Sequence, residues 1–141
     1  MKQFILVFFF ISALVAGAVK PQHVEAVKLK EPIKVDGLLT EKQWNGNAIT
    51  NFVQRDPAEG QPASEKSAVW VAYDNEYLYI AAKLFDNNPD SIDQTVARRD
   101  NYVNSDWFYV YLDPHRDKRT GNFFAVNAGG SKMDGVLYND S

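Results

Sequence analysis

The chain has 141 residues, a net charge of −3, and a composition that is 45% hydrophobic and 13% aromatic. That composition is globular, and the absence of a basic excess or basic run removes nucleic acid from the expected partners. There is no cysteine, which excludes thiolate catalysis, cysteine-ligated metals and a small disulfide-stapled scaffold.

The N-terminus comes first in chain order. Lys2 precedes the apolar run "FILVFFFISALV", 4–15, and "AGA", 16–18, offers the small residues of a cleavage site. Residues 1–18 therefore read as a signal peptide cleaved after Ala18, with Ala26 of "VEA" as a second site. A membrane span normally needs about 20 apolar residues, and Lys20-Pro21 closes the run before that; an N-terminal anchor is the alternative. Export places the protein in the periplasm, in the outer membrane or outside the cell. Residues 19–32, punctuated by Pro21 and Pro32, read as a linker or first edge strand, and 33–141 as one domain.

In that domain Ile33 and Val35 alternate with Lys34, a strand signal, and Asp36-Gly37 turns the chain. Thr40 followed by Gln43 is a capping-box pattern that predicts a short helix from Glu41, anchored in the core by Trp44. Residues 54–67, rich in Pro, Gly and charge, read as a surface loop. "AVWVAYD", 68–74, and "YLYIAAKLFD", 77–86, predict an antiparallel hairpin with a three-residue loop. A polar excursion follows, weakly helical near 91–97.

"SDWFYVYLD", 105–113, is the most distinctive strand. Its period of two puts Phe108, Val110 and Leu112 on one face and Trp107, Tyr109 and Tyr111 on the other. "FFAVNA", 123–128, predicts a strand ended or bulged by Gly129-Gly130, and "KMDGVLYND", 132–140, one interrupted at Asp134-Gly135. Short strands at regular spacing with almost no helix predict an all-β fold, an antiparallel β-sandwich of jelly-roll or immunoglobulin type. The end "LYNDS" has no closing strand, so the sandwich is expected to be incomplete at its C-terminus.

Catalysis has little to stand on. His23 and His115 fall in predicted loops without partners. Asp106 and Asp113 bracket one strand, and seven residues at about 3.3 Å each hold them roughly 23 Å apart, too far for a glycosidase pair. The remaining acids sit in turns. The loops "DNNPD", 86–90, and "DPHRD", 113–117, could ligate a structural calcium, and no other cofactor is expected. The ladder of Trp107, Tyr109 and Tyr111 is the strongest chemical signal. Rings laid on a sheet offer apolar faces with polar tips, which suits the C–H faces and hydroxyls of a sugar. Asn127 lies on a nearby strand, and Trp70 and Tyr79 are expected to extend the same face. A ladder covered by a loop or by a second domain is the competing reading, and the residues alone leave both open.

"IKVDGLLTEKQW", "VWVAYDNEYLYIAAKLFD" and "SDWFYVYLD", in that order, resemble the family 9 carbohydrate-binding module, a DOMON-like β-sandwich. The resemblance covers about residues 33–128. It implies the kind of domain carried by secreted xylanases and by the N-termini of large bacterial envelope proteins, and "RRD", 98–100, places the chain nearer the second group. The implied role is non-catalytic binding of an oligo- or polysaccharide. Trp107, Tyr109, Tyr111, Tyr102 and Trp70 would stack, Asn127 would hydrogen-bond, and Arg98 or Arg99 would hold hydroxyls or an acidic sugar. The sequence departs from the family pattern at three places. Tyr102-Val103 stands where the family has a stacking tryptophan, Tyr109 replaces its acidic residue, and of its Arg-x-Asn only Asn127 remains. Two alternatives follow: a structural domain packed on a downstream membrane-associated β-rich domain of the same polypeptide, or the accessory module of a glycoside hydrolase.

Overall fold

The computed structural model describes residues 24–46 and 48–138. The expected signal peptide lies outside them. Among the described residues no helix is long and apolar enough to cross a membrane, which says nothing of spans made by strands. The chain is all-β. It forms two compact units, one ending at Leu84 and one beginning at Phe85, and each contains a three-stranded sheet.

The first unit holds β1 (Val27–Lys28), a 3₁₀ turn (Lys42–Trp44), β2 (Ser67–Tyr73) and β3 (Leu78–Leu84), in sheet order β1-β2-β3. β1 is the expected edge strand, but it pairs parallel to β2, with Val27 opposite Ala72. β2 and β3 form the predicted antiparallel hairpin, closed by the pair Tyr73–Leu78. The loop is thus one residue longer than expected, Asp74 through Tyr77. Asp74 explains it: Oδ1 accepts from the Glu76 and Tyr77 amides, each at 2.7 Å, and Oδ2 from the Tyr79 hydroxyl at 2.8 Å. An aspartate that serves two amides fixes a turn locally.

Leu29, Trp44, Ala72 and Ala81 form the core of this unit, with Ile33, Leu39, Trp70 and Tyr79 packed against it. Trp44 is the anchor the sequence predicts. The helix around it is a single 3₁₀ turn without a side-chain cap, because Asn45-Gly46 follows at once and neither residue favours helix. The predicted strand at Ile33–Val35 is irregular, and Val35 is 86% exposed. Pro32 removes a ladder donor in front of it, and Asp36 turns the chain behind it by accepting from the Leu38 amide at 2.9 Å.

The second unit holds a 3₁₀ turn (Pro89–Ser91), β4 (Trp107–Leu112), β5 (Thr120–Asn127) and β6 (Lys132–Tyr138), all antiparallel, in order β4-β5-β6. The weak helix near 91–97 is absent beyond Ser91. Asp93 draws the chain away from it, since its Oδ1 accepts from the Thr95 amide at 2.9 Å and the Thr95 hydroxyl at 2.6 Å, the local competition that disfavours helix. β6 runs through Asp134-Gly135 without interruption. A Cβ on Gly135 would lie 2.5 Å from Phe123 Cε1, so the glycine is the space over which a cross-strand ring lies, not a strand breaker.

On β4 itself Phe108, Val110 and Leu112 are partly buried, as are Trp107 and Tyr109, and Tyr111 is 62% exposed; the faces differ in burial on β5 and β6. Register puts Trp107, Tyr109 and Tyr111 beside Asn127, Ala125 and Phe123, and these beside Met133 and Gly135. Ala125 and Asn127 on this aromatic face are buried, whereas Phe124, Val126 and Val136, which share the face of Phe108, Val110 and Leu112, are 40–53% exposed. The reason is steric. Phe123 overhangs Gly135, and Trp107 and Tyr109 stand beside Asn127 and Ala125 in register.

Candidate ligand-binding face

β4 sets three rings on one side of the sheet by alternation alone. They form a continuous row. Tyr102 and Trp107 have centroids 6.2 Å apart, Trp107 and Tyr109 6.0 Å, and Tyr109 and Tyr111 6.0 Å. Phe123, opposite Tyr111 in register, widens the row, 6.5 Å from Tyr109 and 6.2 Å from Tyr111. The interplanar angle is 17° for Tyr102–Trp107 and 13° for Tyr109–Tyr111. Parallel rings at that distance are offset stacks. Each ring shields part of the next, so the outer surface combines ring edges, phenol hydroxyls and the uncovered parts of the faces.

The row is open at both ends. Tyr102 is 68% exposed and Tyr111 62%, while Trp107 and Tyr109 between them are half-buried. Trp107 is fixed by its indole N–H, which donates to the Val103 carbonyl at 2.9 Å. Burial first, then the neighbouring phenols of Tyr102 and Tyr111, raises the Tyr109 phenol above its ordinary value. It is thus a neutral hydroxyl at physiological pH.

Asn127 is not available to a ligand. It is buried, and its amide is fully engaged. Nδ2 donates to the Thr95 carbonyl at 2.6 Å and to Ser105 Oγ at 3.1 Å, and Oδ1 accepts from the Ser131 amide at 2.7 Å. Ser105 Oγ in turn donates to the Asp93 carbonyl at 2.5 Å, and Ser131 Oγ accepts from the Ala97 amide at 2.8 Å. Asn127 is therefore the knot that ties the 93–97 segment to the end of the sheet. Gly129 belongs to the same knot: a Cβ there would lie 2.4 Å from the Gln94 carbonyl oxygen.

Arg99 is likewise committed. It pairs with Asp134 and lies 3.5 Å from Asp100. Asp100 donates its amide to the Lys132 carbonyl at 3.0 Å, so this segment runs along β6, the edge strand farthest from β4 in the sheet. The Arg98 side chain is exposed. Trp70 and Tyr79 belong to the first unit, where both pack against its core; the Trp70 indole nitrogen is buried without a hydrogen-bond partner. They are core-side rings of that unit.

The loop acids serve the backbone. Asp113 accepts from the Asp117 and Lys118 amides at 3.3 and 3.0 Å, and Asp86 from Asn88 at 2.6 Å. Asp117 accepts from the Arg119 and Thr120 amides, each at 2.8 Å. Among the described residues no group of three or more His, Asp or Glu is placed to hold a metal ion.

Sequence reasoning missed Phe123 and the Asn127 knot. Phe123 becomes visible only once the β4–β5 register is known, because the loop between them does not set it. No family model, no curated protein and no solved structure matches the chain.

Proposed function

We propose that this is a non-catalytic glycan-binding domain of an exported protein, with the ring row of Tyr102, Trp107, Tyr109, Tyr111 and Phe123 as its contact surface. The observation that carries this reading is the unbroken row itself, open at its two ends. Aromatic bulk placed at the surface with phenol hydroxyls along it matches the mixed character of a saccharide, apolar on its C–H faces and polar around its rim. A row of rings supplies contact surface, so recognition without turnover is the chemistry proposed for it.

Calorimetry or NMR titration with xylo- and cello-oligosaccharides tests this. Tyr111→Ala removes an exposed ring, so it should weaken binding about fivefold or more while leaving the urea midpoint nearly unchanged. Absence of saccharide binding, or equal affinity in Tyr111→Ala, defeats the reading. A second reading, packing against a further β-rich domain, is favoured by the half-exposed Phe124, Val126 and Val136. That face lies opposite the rings, so docking there would leave the row accessible.

A further inference from the structure

Resting on the glycan reading, we infer that the row takes the interior of an unbranched polysaccharide and gains affinity with chain length, rather than capturing a chain end or a single sugar. Three features lead there. First, the row follows one strand from Trp107 to Tyr111, continues to Tyr102 beside Trp107, and is exposed at both ends. It advances in three steps of about 6 Å from Tyr102 to Tyr111, and its terminal rings are its most exposed members. A chain can enter at one end and leave at the other. Recognition of a terminus needs a wall against which the last sugar stops.

Second, three of the side chains that could read individual hydroxyls are already used. The Asn127 amide, the Trp107 indole N–H and the Arg99 guanidinium all have intramolecular partners. The phenols of Tyr102, Tyr109 and Tyr111 remain, one hydroxyl per step. Third, no charged side chain interrupts Trp107–Leu112, and the flanking Asp106 and Asp113 are bound to backbone amides at 2.8 and 3.0 Å. Offset rings each give only a shallow contact, so no single step binds tightly. Useful affinity must accumulate over successive sugars, as it does for any linked set of weak contacts.

The test is an NMR or calorimetric titration of the full chain with glucose, xylose and their β-1,4 oligomers from two to six units. A parallel series uses oligomers whose reducing end has been converted to the alditol. Affinity should rise about two- to tenfold per added sugar and level off near four units. The alditol hexamer should bind like the parent hexamer, and Tyr102→Ala or Tyr111→Ala should bring the plateau one sugar earlier. Equal affinity for one and four sugars, or loss of binding in the alditol series, overturns the inference while leaving glycan binding standing. No binding at any length overturns both.

Discussion

Asn127→Ala separates the ligand role expected from sequence from the structural role seen in the fold. The substitution leaves the buried Ser131 amide without its acceptor at 2.7 Å and the Thr95 carbonyl without its donor at 2.6 Å. Ser105 Oγ retains its bond to Asp93. A buried unsatisfied donor costs about 1–3 kcal/mol, and an acceptor that water can reach adds up to about 1 kcal/mol. The expected loss is therefore about 2–4 kcal/mol, a large share of the roughly 5–15 kcal/mol that holds a domain together. Urea unfolding followed by tryptophan fluorescence should show the midpoint falling by about 1–2 M at an ordinary slope. Hydrogen exchange should show the Ser131 amide losing protection first. Ser105→Ala, which removes one weaker partner of Asn127 together with the hydroxyl's own bond to the Asp93 carbonyl, should cost about 1–2 kcal/mol and keeps the test readable if Asn127→Ala does not fold. If Asn127→Ala stays within about 0.5 kcal/mol of the parent and instead abolishes saccharide binding, the knot is not structural and the reasoning fails.

Other consequences are equally direct. Gly129→Ala forces a Cβ to within 2.4 Å of a backbone carbonyl, and should cost about 1–3 kcal/mol in the same urea assay, whereas Gly46→Ala, which meets nothing within 4 Å, should not. Asp36, Asp74, Asp93 and Asp117 all have carboxyls held below their ordinary value, chiefly by the backbone amides or hydroxyl they accept from. A lowered folded pKa stabilises above the unfolded value, so thermal stability should be flat near neutrality and decline below about pH 4. Asp74→Ala should make that decline shallower; an unchanged acid limb would refute the assignment. Arg99→Ala breaks an exposed ion pair whose side chains are 64% and 40% accessible, so its cost should not exceed about 1 kcal/mol and should fade in high salt.

The all-β class was legible because strand periodicity and turn residues are local signals. "SDWFYVYLD" declares its two faces without help, and the Asp74 turn follows from its own side chain. What was not legible depends on register and on neighbours. Gly135 looks like a strand breaker until Phe123 is known to lie over it. Asn127 looks like a ligand residue until Thr95, Ser105 and Ser131 are brought around it from three other places in the chain. The burial of Ala125 and Asn127 was not legible either, because the rings of β4 that overhang them stand beside them only once the register is known.

That overhang bears on how the ring row is probed. Trp107 and Tyr109 do two jobs: they shield small residues of the sheet from water and they form the middle of the proposed contact surface. Truncating either removes packing and contact together, so lost binding in Trp107→Ala would say nothing about which was lost. Tyr102 and Tyr111 lie at the open ends, with about two-thirds of each exposed and little buried area to lose. A ring that contributes little to the fold yet completes an aromatic row is the informative position. If Tyr102→Ala and Tyr111→Ala both leave stability and saccharide affinity unchanged, the row is cover for the sheet, and the proposed function moves to the half-exposed face around Phe124, Val126 and Val136.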